Sequence, residues 1–322
     1  MSKKMISVVV PAFNEEDNLP LLVADLVPLL TSYGPYEIII VNDGSSDGTE
    51  AVVQNLHQAN PCIHLISFAR NFGHQYALKA GLDHARGDCV ISMDADLQHP
   101  VSLLPDMIRE WQNGYDIVYT IRRETEHETW FKKTTSRLFY HLFNFLTGLR
   151  LPAGAADFRL LDRKVVDQIR LLPERMLFLR GMISWMGYRQ KGIEYTPAER
   201  RHGVSHYTLS RMLSLARTGA VSFSLKPLRL AIFLGLLVAF LGCLFTAYVI
   251  YMRLFNGEVI TGWASLMSIS LILGGAQLFV MGIIGEYIGM IFLEAKHRPQ
   301  YIISNTTLTY GENHDSKENQ KV

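Results

Sequence analysis

The segment "DADLQHP", Asp94 to Pro100, places two carboxylates and a carboxamide within five residues, directly after the apolar run "CVISM". Removing such groups from water is costly unless something compensates their charge. A divalent cation would do so, because ions of the Mg²⁺ type take oxygen ligands from one or two carboxylates and the remainder from phosphates and water. Residues two apart in a strand share a face, so continued strand geometry would point Asp94, Asp96 and Gln98 the same way. We interpret the segment as a cation site.

Turn and cap chemistry offers a second interpretation of the same residue types. A D-x-D tripeptide also caps helices, and Asp96 before "LQHPVSLL" could do so. Asp43, in "NDGSSDGT", lies among the residue types that dominate turns. The joint occurrence of Glu15, Asp43, Asp94 and Asp96 after successive apolar runs favours the cation site. The sequence lacks both G-x-G-x-x-G after the first run and G-x-x-x-x-G-K-[ST], so the common phosphate-binding glycine loops are absent.

The elements that must position these groups alternate along the first 120 residues. Apolar, β-branched runs predict five strands, at residues 6–10, 37–41, 64–68, 89–93 and 116–120. The stretches "NLPLLVADLVPLL" and "SLLPDMIREWQNG" between them have helical periodicity. Continuous apolar strands separated by helices predict an α/β fold with a mostly parallel sheet that is covered on both faces. In such sheets ligands bind at the carboxyl ends of the strands, where the carboxylates occur.

Bulk composition excludes some classes of function. The chain has 322 residues and a formal net charge of +1, which gives no global electrostatic case for binding nucleic acid. Its three cysteines are far apart and form no zinc or disulfide pattern, which fits a reducing compartment.

Two long apolar segments predict a transmembrane hairpin. Residues 230–252 and 259–285 carry no charge, and as helices either could cross a hydrocarbon core of about 30 Å. A pair of buried core helices is the alternative. We predict spans at about 230–252 and 263–287. Basic residues flank both outer ends (Lys226, Arg229, Lys296, His297 and Arg298), and the N-terminal apolar run is too short for a signal peptide. This pattern predicts a multi-pass protein of the cytoplasmic (inner) membrane with its catalytic domain and both termini in the cytosol.

The expected organisation has four parts. Residues 1–206 would form the catalytic domain, including a basic, aromatic-rich amphipathic helix at about 130–148 that could lie in a membrane interface or pack on the domain. Residues 207–227 would form a juxtamembrane amphipathic helix, and residues 228–292 the two spans. Residues 293–322 would form a cytosolic tail whose polar part, from Ser304, is expected to be disordered.

Several motifs together carry a resemblance to a known family. "VVVPAFNEEDNLP", "IIIVNDGSSDGT", "RNFGHQYALKAGLDHARGD" and "MDADLQHP" resemble the inverting nucleotide-sugar glycosyltransferases of family 2, which have the GT-A fold. With "AADFRLLDRKVVDQI", "RRHGVSHY" and the two spans, the chain is similar to polyprenyl-phosphate glycosyltransferases over about residues 5–303. Within that class the chain resembles bactoprenol glucosyltransferases, and it resembles dolichyl-phosphate mannose synthases more distantly. The resemblance implies a GT-A Rossmann-like sheet with the amphipathic helices and the hairpin appended.

The resemblance implies a role for each residue that matches a family motif. The nucleotide-sugar pocket would comprise Pro11, Phe13, Glu15, Asp43, Asp94 and Ala95, with Asp43 bonded to the uracil. Asp96 and Gln98 would hold Mg²⁺ or Mn²⁺ on the diphosphate. The catalytic residues would be Asp157, Arg122 and Arg200, with the arginines near the donor and acceptor phosphates. Ser205 and His206 would contact the acceptor phosphate. The family often has Lys where this chain has His206, and His is only partly protonated near neutral pH.

The activity implied by the resemblance is transfer of a sugar, first of all glucose from UDP-glucose, to undecaprenyl phosphate, which gives a lipid-linked sugar for cell-surface glycan modification. UDP-N-acetylglucosamine or an arabinose-derivative donor is the alternative, and a non-catalytic membrane scaffold is another. A processive synthase would carry Q-x-x-R-W and more spans, and neither is visible. Relatives form homo-oligomers, so a tetramer is an option, although the small residues of the second span also simply fill membrane helices. Two spans offer little room to move the product across, so a separate flippase is expected.

Overall fold

The structure, a computed structural model, describes residues 4–122, 144, 147–148, 154–175, 177–196, 224–255 and 262–308. Among the predicted site residues, Arg200, Ser205 and His206 lie outside the described residues, as do residues 130–143, 207–223 and 309–322. The chain divides into two compact units. One contains a β-sheet with its helices and includes residues 298–308, and the other contains two long apolar helices.

The first unit alternates strands and helices as the sequence predicts. Its first half comprises β1 (Ile6–Ala12), α1 (Asn18–Tyr33), β2 (Tyr36–Asn42), α2 (Thr49–Ala59), β3 (Ile63–Phe68), α3 (His74–His84) and β4 (Cys89–Ser92). It continues with α4 (Leu104–Gln112), β5 (Ile117–Arg122), β6 (Ala155–Asp162), α5 (Arg163–Leu171), α6 (Leu179–Trp185), β7 (Gln190–Tyr195) and β8 (Ile303–Thr306). All five predicted strands are confirmed, as are the helices predicted from the two periodic stretches.

The eight strands form one sheet in the order β7-β5-β6-β4-β1-β2-β3-β8. The pairs β1–β2, β1–β4, β2–β3 and β5–β7 are parallel. The remaining pairs, β4–β6, β5–β6 and β3–β8, are antiparallel. Strand order reverses at β1, because β2 and β3 follow on one side and β4 lies on the other. Such a switch point leaves a crevice outside the carboxyl ends of the strands, here those of β1 and β4.

The central strands are buried and mostly apolar because helices cover both of their faces. Every residue of β1 is buried, and β2 is buried from Glu37 onward. Helix α4 buries Leu104, Met107, Ile108 and Trp111, which recur at helical spacing along one face. Helix α3 packs so closely on β1 that a Cβ added at Gly81 would collide with the Val9 side chain. This contact holds α3, whose first residues belong to the candidate site, close against the sheet.

The C-terminal segment differs from the sequence prediction. Disorder was expected from Ser304, but residues 303–306 form β8, which pairs antiparallel with β3. The prediction was wrong for these residues because the strand is short and polar. Its backbone hydrogen bonds to β3 supply the order, and local sequence periodicity does not reveal such pairing.

The second unit contains α7 (Lys226–Phe255) and α8 (Trp263–Ala295), which pack against each other. Both are long and apolar enough to cross a membrane, over Leu228–Met252 and Ile269–Ala295, and almost none of their described side chains are buried. These helices lie where the sequence predicts two spans. The Tyr287 hydroxyl donates a hydrogen bond to the Ser224 carbonyl at 2.6 Å. The predicted domain boundaries stay predictions.

Candidate active site

The loops after β1 and β2 are fastened to each other at the carboxyl edge of the sheet. The Asn14 backbone N–H donates to Ser45 Oγ at 2.9 Å, and Asn14 Oδ1 accepts from the Ser46 N–H at 2.9 Å. Glu16 Oε2 accepts from the Gly48 N–H at 2.6 Å. Phe13 is left 46 % exposed on this surface. Because aromatic faces stack on planar rings, Phe13 suits the predicted base pocket. Pro11, by contrast, is buried within β1.

Asp43 holds the loop that follows β3. Its carboxylate is buried and accepts from the Phe72 N–H at 2.7 Å and from the Gly73 N–H at 2.9 Å. Burial raises the pKa of Asp43, while these backbone hydrogen bonds oppose that increase. Gly44 has φ +67°, and a Cβ there would lie 2.5 Å from the Asn71 nitrogen, so the two loops touch through backbone. A hydrogen bond from Asp43 to uracil stays a prediction.

The D-x-D segment does not continue the strand. Strand β4 ends at Ser92, and Leu97 has a positive φ of 60°, so the alternation expected for Asp94, Asp96 and Gln98 is broken. Asp96 Oδ1 instead accepts from the Gln98 backbone N–H at 3.1 Å, in the local turn that Asp side chains favour. Ala95 and Gln98 are buried, with exposed fractions of 2 % and 8 %. The assumption that these side chains share a strand face was wrong.

Asp94 is paired with a histidine to which the sequence analysis assigned no role. His74 Nε2 lies 2.8 Å from Asp94 Oδ1, at the first residue of α3. Burial would lower the pKa of His74, but the hydrogen bond and charge of Asp94 outweigh this and raise it to about 9. The Asp94 backbone N–H also donates to His99 Nδ1 at 3.1 Å. The imidazolium of His74 therefore balances one carboxylate of the D-x-D segment at neutral pH.

Asp157 on β6 forms a two-point ion pair with Arg180 of α6. Arg180 Nε lies 2.7 Å from Asp157 Oδ1, and Arg180 Nη2 lies 2.8 Å from Oδ2. Burial alone would raise the pKa of Asp157, but the charge and hydrogen bonds of Arg180 hold it well below its usual range. Gln75 joins the pair, since its Nε2 lies 3.5 Å from Asp157 Oδ2 and its Oε1 accepts from the Leu179 N–H at 3.2 Å.

Sequence reasoning missed Arg180 and Gln75 and assigned no role to Arg159, which is buried. Arg159 is 5 % exposed, and burial lowers its pKa to about 10 although the charge of Asp157 opposes this. A signal for Arg180 was available, because it is a single charge within the apolar stretch "MLFLRGMISWMG". A charge that is buried in such a segment needs a partner of opposite sign.

Negative charge accumulates between the ends of β1 and β4. Burial raises the pKa of Glu15, a hydrogen bond from Asn18 opposes this, and the charges of Asp96, Asp94 and Asp47 raise it further. Among the described residues, no group of three His, Cys, Asp or Glu side chains is placed to hold a metal. Two carboxylates in a field of negative charge nevertheless fit Mg²⁺ or Mn²⁺, whose other ligands would be phosphate oxygens and water.

Arg122 ends β5, in register with Tyr195 at the end of β7, and its side chain is exposed. Tyr195 is buried against Phe158 and His99. Burial raises the pKa of Tyr195, and the charge of Arg122 lowers it, whereas Asp94 and Asp96 raise it. The structure therefore places Arg122 on the same edge as the acidic cluster formed by Glu15, Asp94 and Asp96.

Comparison with family models gives two matches. Residues 7–170 match the model described as glycosyl transferase family 2, and residues 226–291 match the GtrB C-terminal hairpin. The first contains the carboxylate motifs together with Asp157, and the second contains most of α7 and α8.

Similar proteins extend over nearly the whole chain. A bactoprenol glucosyl transferase of Shigella phage SfV is 43 % identical over 93 % of this chain and 98 % of its own length. A prophage bactoprenol glucosyl transferase homolog of Escherichia coli K12 is 40 % identical over 92 % and 98 %. Among solved structures, mannosyl-3-phosphoglycerate synthase from Rubrobacter xylanophilus superposes with a TM-score of 0.48 at 19 % identity, over 70 % of this chain and 74 % of that one.

Proposed function

The chain belongs to glycosyl transferase family 2, and on that premise we propose that it transfers a hexose from a UDP-sugar, first of all UDP-glucose, to undecaprenyl phosphate. One observation carries the proposal. The acidic cluster of Glu15, Asp94 and Asp96 lies at the switch point of the α/β sheet, in a chain that is similar to bactoprenol glucosyl transferases. The similarity is 40–43 % identity over more than nine-tenths of the chain. The described elements and family membership agree with the GT-A fold that the sequence analysis expected.

The donor half of the site needs a cation. Carboxylates repel a diphosphate, so Asp94 and Asp96 can contribute to donor binding only if a divalent ion lies between the charges. Bound there, Mg²⁺ or Mn²⁺ would neutralise the charge that develops on the departing nucleoside diphosphate. Phe13 would stack on the base. The His74 side chain holds Asp94 in place and reduces the local excess of negative charge.

The acceptor half of the site needs positive charge. A lipid phosphate monoester has a second pKa of about 6 and is largely dianionic at pH 7, so its oxygen is already a nucleophile. That oxygen attacks the anomeric carbon, the bond from this carbon to the diphosphate oxygen breaks, and the nucleoside diphosphate leaves with the electron pair. Configuration at the carbon inverts. Guanidinium groups bind phosphate through two parallel hydrogen bonds, and we assign this role to Arg122 and Arg180.

The role of Asp157 follows from its pairing with Arg180. A carboxylate whose pKa is held well below its usual range accepts a proton poorly, so Asp157 is a weak general base. It fixes the guanidinium of Arg180 at two points, which orients that group toward an incoming phosphate. Asp157 therefore contributes to electrostatic stabilisation through Arg180, and this contribution is expected to be larger than any proton transfer by Asp157.

The apolar helices α7 and α8 would anchor the enzyme in the cytoplasmic membrane, where its lipid acceptor resides. The basic residues at their outer ends support an orientation with both termini in the cytosol. The product would be a lipid-linked sugar that a separate flippase moves outward. Association into homo-oligomers, as a tetramer for example, is part of the same proposal.

The test uses membranes that contain the full-length chain, incubated with labelled UDP-sugars and undecaprenyl phosphate, with and without EDTA. The proposal expects a glycolipid whose mass identifies the sugar, formed only when a divalent ion is present, and from Asp96→Asn a product that requires a higher concentration of that ion. A glycolipid that carries N-acetylglucosamine or an arabinose derivative would replace glucose as the sugar transferred. Absence of any glycolipid from every donor, with the protein folded in the membrane, would refute the enzyme proposal and favour a scaffold.

A further inference from the structure

The residues that follow the second apolar helix are built into the first unit. We use "C-terminal strap" for residues 300–308, which begin shortly after the end of α8 at Ala295. Strand β8 within the strap extends the sheet beyond β3, and Leu308 at its end is buried. The matching family model of the hairpin ends at residue 291, before the strap begins.

One set of contacts leads from the strap to the donor pocket through aromatic rings. Tyr301 stacks on Phe68 with ring centroids 5.2 Å apart and planes at 14°, and its hydroxyl donates to Asp83 Oδ2 at 3.0 Å. Phe68 then meets Phe72 edge to face at 5.6 Å. The backbone N–H of Phe72 donates to Asp43. Tyr301 thus supports the β3–α3 loop, residues 69–73, through Phe68 and Phe72, while Asp43 holds the same loop through backbone hydrogen bonds.

A second set of contacts runs through polar side chains. Asn305 Nδ2 donates to Glu50 Oε1 at 2.9 Å. Glu50 Oε2 accepts from Ser67 Oγ at 2.7 Å, and Asn42 Nδ2 donates to the same Ser67 oxygen at 2.9 Å. Asn42 Oδ1 in turn accepts from the Ser45 N–H at 3.0 Å. Ser45 is the residue that holds the loop after β1, so this network ends at the same pocket by a different route.

Covering an edge strand would not require these side chains. An exposed edge presents unpaired backbone groups, and the strap satisfies those of β3 through main-chain pairing and through the hydroxyls of Ser304, Thr306 and Thr307. The contacts of Tyr301 and Asn305 are additional, and each leads to a different loop of the donor pocket. Site geometry depends on such supporting contacts, because loops that carry binding groups are otherwise free to open.

We propose that the C-terminal strap positions the donor pocket, with Tyr301 and Asn305 as its positioning residues for the loops after β3 and β2. This inference rests on the proposed binding of a nucleotide sugar at that edge. Neither residue contacts the reacting groups. Their effect acts through Asp43 and Ser45, so it should appear in donor affinity and leave the chemical step nearly unchanged.

The test compares variants of the full-length protein purified in detergent. Tyr301→Ala removes the stack on Phe68, Tyr301→Phe keeps the ring and loses only the hydroxyl, and Ile302→Ala is a matched control because Ile302 is 52 % exposed in the same strap. We expect Tyr301→Ala to raise the donor KM about 2- to 10-fold, the range that an aromatic pair supports, with kcat changed less than about 2-fold. Tyr301→Phe and Ile302→Ala should resemble wild type.

Hydrogen exchange supplies a readout that does not depend on activity. In Tyr301→Ala, amides of residues 69–76 should exchange faster, while those of α4 should match wild type. Should Tyr301→Ala fail to fold, Asn305→Ala provides the same measurement for the polar route, with faster exchange expected at residues 43–48.

The outcomes separate this inference from the proposed function. Unchanged donor KM and unchanged loop exchange in a folded Tyr301→Ala protein would overturn the role of Tyr301. A fall in kcat with constant KM would also overturn it, because the effect would then lie in the chemical step. If wild type itself shows no protection of residues 69–76 by UDP, with or without Mn²⁺, the nucleotide site is wrong and the proposed function fails first.

Discussion

The pairing of Asp157 with Arg180 makes a prediction that distinguishes two roles for the aspartate. The perturbation is a double-mutant cycle of Asp157→Asn, Arg180→Met and the combined variant. Asp157 and Arg180 side chains are 9 % and 24 % exposed, so either single variant leaves a largely buried polar or charged group without its partner. Removing one partner of a buried ion pair lowers the free energy of unfolding by about 3–5 kcal/mol, and because Arg180 is partly exposed we expect a loss of about 3 kcal/mol. The combined variant should lose less stability than either single change.

The kinetic expectation follows from the pKa of Asp157. A positioned general base contributes about 10²- to 10⁴-fold, but a carboxyl with a strongly lowered pKa takes little proton in the transition state. If Asp157 acts by orienting Arg180, Asp157→Asn should lower kcat at least about 100-fold with donor binding intact. When Asp157→Asn is added to Arg180→Met, kcat should then fall no further.

The assay measures glycolipid formation at saturating donor, UDP binding by calorimetry, and unfolding by urea for all four proteins. A further loss of about 100-fold in the combined variant, relative to Arg180→Met, would show that Asp157 acts as an independent base. A fall in UDP affinity as large as the fall in kcat would make Asp157 a binding residue. Either result contradicts the reasoning from the ion pair.

Three further predictions use other contacts of the site. The pKa of His74 is raised to about 9, so the stabilisation from its pair with Asp94 is fully present below about pH 6.5 and is lost as the pH rises through about 9. The unfolding curves of wild type and His74→Gln should therefore differ at pH 6 and converge at about pH 10. Asp96→Asn should raise the Mn²⁺ concentration for half-maximal transfer about 10-fold or more, and an unchanged metal titration would exclude it as a ligand. Gly44→Ala should lower the free energy of unfolding in urea by about 1–3 kcal/mol more than Gly187→Ala. Both glycines have positive φ, but of the two only Gly44 touches neighbouring backbone, so equal losses of unfolding free energy would contradict the close contact.

The candidate site could be predicted where its charged residues come directly after a strand. The location of Glu15, Asp43 and Asp94 at one edge of the sheet could be predicted because each stands just after an apolar run, and parallel strands bring their carboxyl ends to one edge. The alternation expected through Gln98 failed because the chain leaves the strand at Ser92 and turns at Leu97. The sequence therefore predicted which residue types lie at this edge, but it did not predict the direction of their side chains once the strand had ended.

Sequence by itself determined the features that depend on local patterns: the five apolar strands, the periodic helices, the carboxylates at strand ends and the two helices long enough for a membrane. Only the tertiary structure decided which charges meet, as with Arg180 on Asp157, and that polar β8 completes the sheet beside a strand more than two hundred residues earlier. The physical reason is that periodicity reports burial of neighbouring residues along one element. Ion pairs and strand pairing between distant segments depend on how the elements pack, and they leave no local period in the chain.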